Sequence, residues 1–227
     1  MKRETLGALN DARRAGHAIV RASELQTGEE ILIDPANDTS PLGIAAANAA
    51  RADQSGPVEI DGKNWFLAVY NPPLDLAIIG AVHIAQPLAQ MAVLAGYGVR
   101  IIDPRTAFAT AERFPGVTLS HDWPDEALQK QPLGSRSALV ALTHDPKLDD
   151  PALTTALNSQ CFYIGALGSK KTHAARLARL KAHGFSDETL AKIHGPIGLP
   201  LGGRSPAEIA ISILAEMTRV LRLRGET

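Results

Sequence analysis

The stretch from Leu74 to Arg105, LDLAIIGAVHIAQPLAQMAVLAGYGVRIIDPR, constrains the fold more than any other part of the chain. An apolar run (Leu74 to Ile79) ends on Gly80, a helical pattern follows, and a second apolar run (Val99 to Ile102) ends on Asp103. That order is the first β-α-β unit of a parallel, nucleotide-binding type of sheet. In such sheets a ligand lies outside the carboxyl ends of the strands, over the helix N-terminus. Free backbone N–H groups and the helix dipole favour an anion there.

The loop after the first run departs from the dinucleotide fingerprint Gly-x-Gly-x-x-Gly. Its three positions hold Gly80, Val82 and Ala85. Gly80 suits the tight turn, and Ala85 still allows close helix–strand packing. Val82 stands where a second glycine would let the backbone approach a pyrophosphate, and its branched side chain obstructs that pose. Asp103 falls about 20 residues on, where an acid accepts ribose hydroxyls, and Arg105 is placed to meet a phosphate. Two readings stand: a nucleotide-type ligand over Gly80-Ala81-Val82-His83, or a Rossmann-like unit kept for its fold alone.

At 227 residues the chain holds one large domain, or a Rossmann-like domain plus a small one. A hydrophobic content of 45% with 21% charged residues is that of an ordinary globular protein. A formal net charge of −1 leaves no basic field to attract nucleic acid. The one cysteine, Cys161, rules out an internal disulfide and fits a reducing cytoplasm. The N-terminus has scattered charges and no apolar h-region, unlike a secretory signal. No apolar run approaches the ~20 residues of a membrane span.

Residues 1–70 read as a small α/β lead-in. Thr5 to Ala15 is weakly helical, Gly16 to Ser23 and Glu30 to Ile33 read as strands, and Pro41 to Arg51 as an Ala-rich helix. Val58 to Ile60 and Asn64 to Val69 flank Asp61-Gly62, a hairpin signal because Asp-Gly suits a type I′ turn. Asn71-Pro72-Pro73 is the best boundary, giving residues 1–70 and 71–227 as two domains. Beyond it strands and helices alternate, which predicts a Rossmann-like parallel sheet flanked by helices. Ala138 to Leu142 is the next strand. Asp150 before Pro151 predicts an N-cap and a helix running to about Ser159. Cys161 to Ile164 is the following strand, with Cys161 read as an inert core thiol, and a basic helix (Lys170 to His183) follows it. Ser205-Pro206-Ala207-Glu208 is a capping box that opens a last helix with one apolar face.

Three further polar clusters sit where ligands bind in this architecture. Thr143-His144-Asp145-Pro146-Lys147-Leu148-Asp149-Asp150 directly follows a strand. It suits ligand contact or proton transfer by His144, or simply turn and cap chemistry, the assignment for Asp149 and Asp150. Gly165-Ala166-Leu167-Gly168-Ser169, with Lys170 and Lys171 behind it, can cradle an anion. Lysines at a helix N-terminus oppose the dipole, a mismatch relieved by a bound phosphate or by solvent. The spacing is not that of a Walker A loop. His194 to Arg204, with Gly198 and Gly202 among its four glycines, is a shaped loop for closure over a ligand, for a protein contact, or for a long structural connection. His83, His144 and His194 lack the close spacing of a metal-ligand pair, so no metal site is assigned.

The segments GAVHIAQPLA, IIDPRTAFATAERFPG, LTHDPKLDDPAL, YIGALGSKKTHAARL and HGPIGLPLGGRSPAEIAISILAE together resemble the xanthine dehydrogenase accessory (XdhC/CoxI) family, in the family's order, over about residues 70–220. The resemblance implies a Rossmann-like domain. It also implies a role in maturing molybdenum hydroxylases: binding the molybdenum cofactor, protecting it during sulfuration, and handing it to an apo-enzyme of the xanthine or carbon monoxide dehydrogenase type. Family members usually carry Gly at the place of Val82. Longer ones carry Gly-Ser-x-Pro-Arg and Gly-Gly-Gly-Cys segments that this chain lacks, so a separate partner bearing that half is expected.

The leading reading is therefore a cofactor chaperone, an accessory protein rather than an enzyme. Its binding residues would be Gly80, Ala81, Val82, His83, Asp103, Arg105, Thr143, His144, Asp145, Gly165, Gly168, Ser169, Gly198 and Gly202. Its partners would be a molybdenum hydroxylase client, a sulfur donor of cysteine-desulfurase type, and a second copy of the chain docking through the last helix. The rival is an NAD(P)-dependent oxidoreductase, with Asp103 favouring an unphosphorylated ribose or Arg105 a 2′-phosphate. A third reading is an interaction protein with an empty nucleotide fold.

Overall fold

The computed structural model describes residues 3–223. The chain divides between Pro72 and Pro73 into two compact units.

The first unit opens with helix α1 (Arg3–Arg14). Strands β1 (Ile19–Glu24) and β2 (Glu30–Ile33), helix α2 (Pro41–Ala52), and strands β3 (Gly56–Ile60) and β4 (Lys63–Tyr70) follow. The four strands form one antiparallel sheet in the order β2-β1-β4-β3. Alternation turns Val20, Ala22, Trp65 and Leu67 to one face, where they pack with Ala46 and Ala50 of α2. The Ser40 side chain caps α2 and Pro41 takes its first turn. Asp61 and Gly62 both have positive φ, 53° and 73°, which a two-residue type I′ turn requires and Asp-Gly supplies.

The second unit is a doubly wound α/β layer structure. Its elements are β5 (Leu74–Ile79), α3 (Ala85–Leu94), β6 (Tyr97–Ile102), β7 (Thr118–Ser120), α4 (Pro124–Lys130), β8 (Ser137–Ala141), α5 (Pro146–Leu157), β9 (Tyr163–Ala166), α6 (Lys170–Ala182), α7 (Asp187–Leu190), β10 (Ile193–His194) and α8 (Pro206–Arg222). The six strands pair in parallel, in the order β10-β9-β8-β5-β6-β7. The chain starts in the middle, winds to one edge, returns, and winds to the other, so the strand order reverses between β5 and β8. Alternate residues of β5 face opposite layers. Leu76 and Ile78 join α3 and α8, whereas Ala77 and Ile79 join the layer of α4, α5 and α6. Each fully buried Leu or Ile in these layers contributes about 1.5–3 kcal/mol.

Two local readings of the sequence are corrected. Helix α5 starts at Pro146, not Pro151. Asp145 is the cap, its Oδ1 accepting the Lys147 N–H at 3.0 Å. Both Asp-Pro pairs fit a helix start, but the first leaves the strand directly and is used. Pro151 then lies inside the helix, where its ring forfeits one backbone bond. Asp149 and Asp150 consequently project from the first turns of α5 instead of capping it. Cys161 lies just ahead of β9, half-buried, with its Sγ 3.6 Å from the Ala156 carbonyl.

Candidate functional site

The carboxyl ends of β5, β6, β8 and β9 deliver four loops to one edge of the parallel sheet. Gly80, after β5, has φ +102°, and a Cβ there would come 2.4 Å from Thr143 Cγ2. Glycine is thus required twice, by conformation and by the close approach of the β8 loop. The two loops that flank the reversal of strand order are in contact.

Asp103, after β6, is 0% exposed. Its Oδ2 accepts the Ala81 N–H at 2.8 Å, and its Oδ1 accepts the Arg105 backbone N–H at 3.0 Å. The Arg105 guanidinium closes on the same carboxylate with Nε to Oδ1 at 2.8 Å and Nη2 to Oδ2 at 2.7 Å. Burial works to raise this carboxyl, but the bonds from Arg105 and Ala81 outweigh it and hold it below the usual aspartate range. The reading of Asp103 as a free ribose acceptor is corrected: its carboxylate is spent bracing the β5 loop. Ala81 N–H, one of the groups expected to meet a phosphate, already has an anionic acceptor. Arg105 is half-exposed, lies over the Phe108 ring at 4.8 Å, and is raised in pKa first by its bond to Asp103. Val82 is partly buried against the core and His83 is exposed. Helix α3 has no side-chain cap.

The β8 loop is organised by Thr143. Its hydroxyl accepts the Asp145 N–H at 3.0 Å and donates to Asp149 Oδ1 at 2.7 Å. His144 is exposed at φ +64°. A Cβ on Gly168 would lie 3.8 Å from His144 Nδ1, so the β8 and β9 loops also adjoin.

The β9 loop enters α6 through Gly168 (φ +145°) and Ser169, whose Oγ accepts the Thr172 N–H at 3.1 Å. Beneath it lies a buried charge cluster that sequence reasoning misses. Arg176 of α6 is 1% exposed. Its Nη2 donates to the Leu167 carbonyl at 2.8 Å and stands 3.5 Å from Asp149 Oδ2. Among the described residues, Arg176 Nε and Nη1, Asp149 Oδ2 and His173 Nδ1 have no hydrogen-bond partner. Burial pushes the Asp149 carboxyl up and lowers both Arg176 and His173. A signal for Arg176 does exist: it falls four residues before Leu180, on the buried stripe of α6.

Of the remaining glycines, Gly165 and Gly198 serve packing. Gly165 is buried within β9, where a Cβ would meet Ile197 at 2.4 Å. Gly198 (φ +92°) lies against Ser212 of α8 and donates its N–H to Glu216 Oε2 at 2.8 Å, while Gly202 is exposed with open space around it. Glu216 also accepts from Tyr163 Oη at 2.6 Å and lies 3.3 Å from His194 Nδ1. Tyr163 stacks on His194 at 4.7 Å, and burial with Glu216 raises the phenol far above its usual pKa. His194 is therefore tied to α8. No group of three or more His, Cys, Asp and Glu suited to a metal ion occurs among the described residues. No helix among them is long and apolar enough to cross a membrane.

A family model described as the XdhC Rossmann domain matches residues 76–217. Among curated proteins, the chain is 32% identical over 163 residues to the molybdenum cofactor insertion chaperone PaoD of Escherichia coli (72% of this chain, 45% of PaoD). It is 30% identical over 155 residues to a probable xanthine dehydrogenase subunit from Bacillus subtilis (68% of this chain, 45% of that protein). It is also 30% identical over 179 residues to YqeB of Escherichia coli (77% of this chain, 31% of that protein). The chain thus spans less than half the length of these relatives. A solved structure described as a xanthine dehydrogenase from Bacillus halodurans superposes with a TM-score of 0.73 at 23% identity, covering 99% of this chain and 68% of that one. That likeness establishes the shared fold.

Proposed function

The chain belongs to the XdhC family through its Rossmann domain, and from that premise we propose that it binds the molybdenum cofactor and acts as a maturation factor for a molybdenum hydroxylase. The observation that carries this reading is the convergence of Gly80, Thr143, His144, Gly168 and Ser169 at the reversal of strand order, beside the cations of α6. A cofactor made anionic by its phosphate needs backbone N–H groups and positive charge, and this edge of the sheet provides both. PaoD, which the chain resembles over 163 residues, is a molybdenum cofactor insertion chaperone.

The donor set suits the organic part of the cofactor rather than its metal. Ser169, Gly168 and the start of α6 would hold an anionic group. His144 and Thr143 would orient the pterin, and Gly80 to His83 would form the opposite wall. In its client the cofactor supplies hydroxylation chemistry; here the chain binds, orients and shields it through sulfuration and insertion. The same reading extends to a sulfur donor of cysteine-desulfurase type. It extends as well to a second copy of the chain docking through α8, where Ile211 is exposed, as is Leu223 just past the helix end. Residues 71–227 are taken as the cofactor-binding domain. The NAD(P) reading loses support because Asp103 is committed to Ala81 and Arg105.

Anaerobic equilibrium binding of the molybdenum cofactor, with NAD(H) and NADP(H) titrated in parallel, tests the proposal. Saturable cofactor binding that weakens in His144→Ala is expected. Binding of a nicotinamide dinucleotide alone overturns it.

A further inference from the structure

Helices α3, α5 and α6 begin at the ligand edge of the sheet, and they differ in what they offer an anion. Ahead of α3, the Ala81 N–H is taken by the Asp103 carboxylate. Helix α5 is capped by the carboxylate of Asp145. Both starts already carry a negative charge. Helix α6, 13 residues long, is capped by the neutral hydroxyl of Ser169, has no acid in its first turn, and begins Lys170-Lys171. These lysines oppose the helix dipole, so the start of α6 concentrates positive charge.

Arg176 is the second, independent observation. Helical side chains lean toward the N-terminus, and the Arg176 guanidinium reaches back to the carbonyl of Leu167, in the loop that enters α6. It is 1% exposed, yet Nε and Nη1 have no partner, and its contact with Asp149 is a loose 3.5 Å. Leaving a buried charged donor unpaired is destabilising. Nε and Nη1 lie on different edges of the planar guanidinium, so each offers one charged bond to a phosphoryl oxygen, and Nη2, held by Leu167, completes neither as a free fork.

We propose that Arg176, with Ser169, Lys170 and Lys171, forms a phosphoryl-binding subsite at the N-terminus of α6, and that Arg176 is its specificity-determining cation. The inference rests on the cofactor-binding reading in that the organic ligand bearing the phosphoryl group is taken to be the cofactor. The subsite itself recognises the shared chemistry of free phosphate and a phosphate monoester. Asp149 competes with the ligand for the guanidinium, and Thr143 holds Asp149 in place.

The test is titration of the full chain with inorganic phosphate, followed by calorimetry and 31P NMR, then competition by the molybdenum cofactor. Arg176→Met is expected to weaken phosphate binding about tenfold to a hundredfold, the worth of a charged hydrogen bond. Asp149→Asn is expected to strengthen it several-fold by freeing the guanidinium. A purely structural Arg176–Asp149 pair would not produce that opposite sign. If Arg176→Met does not fold, the Asp149→Asn single variant and the Asp149→Asn/Arg176→Met double variant carry the comparison. Absence of saturable phosphate binding to the folded parent, or equal affinity in parent and variants, overturns the inference. Phosphate displaced by cofactor identifies the ester as the occupant. Phosphate bound with no cofactor binding leaves the subsite standing and sinks the cofactor reading. Cofactor bound with parental affinity in Arg176→Met, and no phosphate binding, does the reverse.

Discussion

The loop after β5 and the loop after β9 leave the same edge of the same sheet, and they manage charge in opposite ways. Gly80 to His83 looks like part of a nucleotide fingerprint, yet its Ala81 N–H is answered from below by the buried Asp103 carboxylate. Leu167 to Ser169 matches no phosphate-loop spacing, yet two lysines follow it and an incompletely paired arginine lies under it. The comparison teaches that a fingerprint loop is a statement about backbone geometry, whereas anion affinity depends on which N–H groups and cations are left unspent.

The largest effect that would break the contrast lies at Asp103. Asp103→Ala removes the acceptor of Ala81, of the Arg105 backbone N–H and of the guanidinium at once. A stability loss of about 3 kcal/mol in urea unfolding is expected from bonds to a buried charged group. The group's folded pKa is depressed, so its contribution is present above the unfolded aspartate pKa of about 4 and disappears as pH falls through the lower folded value. The parent should therefore lose stability on acidification through that window, and Asp103→Ala should show a flatter profile. Equal slopes would mean that the brace contributes nothing.

Gly80→Ala comes next. The new Cβ meets Thr143 Cγ2 at 2.4 Å on a backbone with φ +102°. Steric overlap and conformational strain together should cost about 2–3 kcal/mol. Adding Thr143→Ser removes the clashing methyl but not the strain, so thermal unfolding should show a partial recovery. Full recovery would show that the conformation at Gly80 is not strained for alanine.

How far these features can be read from sequence follows from the range of the forces involved. The β5-α3-β6 unit, the Asp-Gly hairpin, the capping box at Ser205 and the Pro72-Pro73 breaker are local patterns, set within a few residues, and each has a visible signature. The start of α5 is ambiguous in sequence because two Asp-Pro pairs five residues apart satisfy the same local rule. Only the end of β8 decides between them. The couplings that shape the candidate site join residues far apart in the chain: Ala81 to Asp103, Asp149 to Arg176, Tyr163 to Glu216. Spacing puts Asp103 at the correct strand end, but whether it faces a ligand or the loop beneath depends on side-chain direction, which spacing does not encode. Arg176 and Glu216 are hidden because a charged residue on a helix is ordinarily solvated, and only their positions among Leu180, Ile213 and Met217 betray burial.

A smaller effect sharpens the β9 side of the contrast. Ser169→Ala removes the side-chain acceptor of the Thr172 N–H. The loss should be about 1 kcal/mol, typical of an N-cap. Because Ser169 belongs to the proposed subsite, added phosphate should raise the variant's melting temperature less than the parent's. An equal phosphate response in both proteins would place the anion elsewhere.

The smallest expected effect is the most pointed. Val82→Gly creates the second glycine of the dinucleotide fingerprint and clears the branched side chain from the loop. If Val82 alone excluded a dinucleotide, affinity for NAD(H) should rise. The structure places a second obstacle below it, since Ala81 N–H and Arg105 remain bound to Asp103 whatever residue stands at 82. A pyrophosphate entering the loop would meet a buried carboxylate and be repelled by it. Val82→Gly is therefore expected to leave NAD(H) affinity within about a factor of two of the parent's, roughly 0.4 kcal/mol. A large gain in fluorescence titration would show that the side chain, and not the charge beneath the loop, decides what this edge of the sheet can hold.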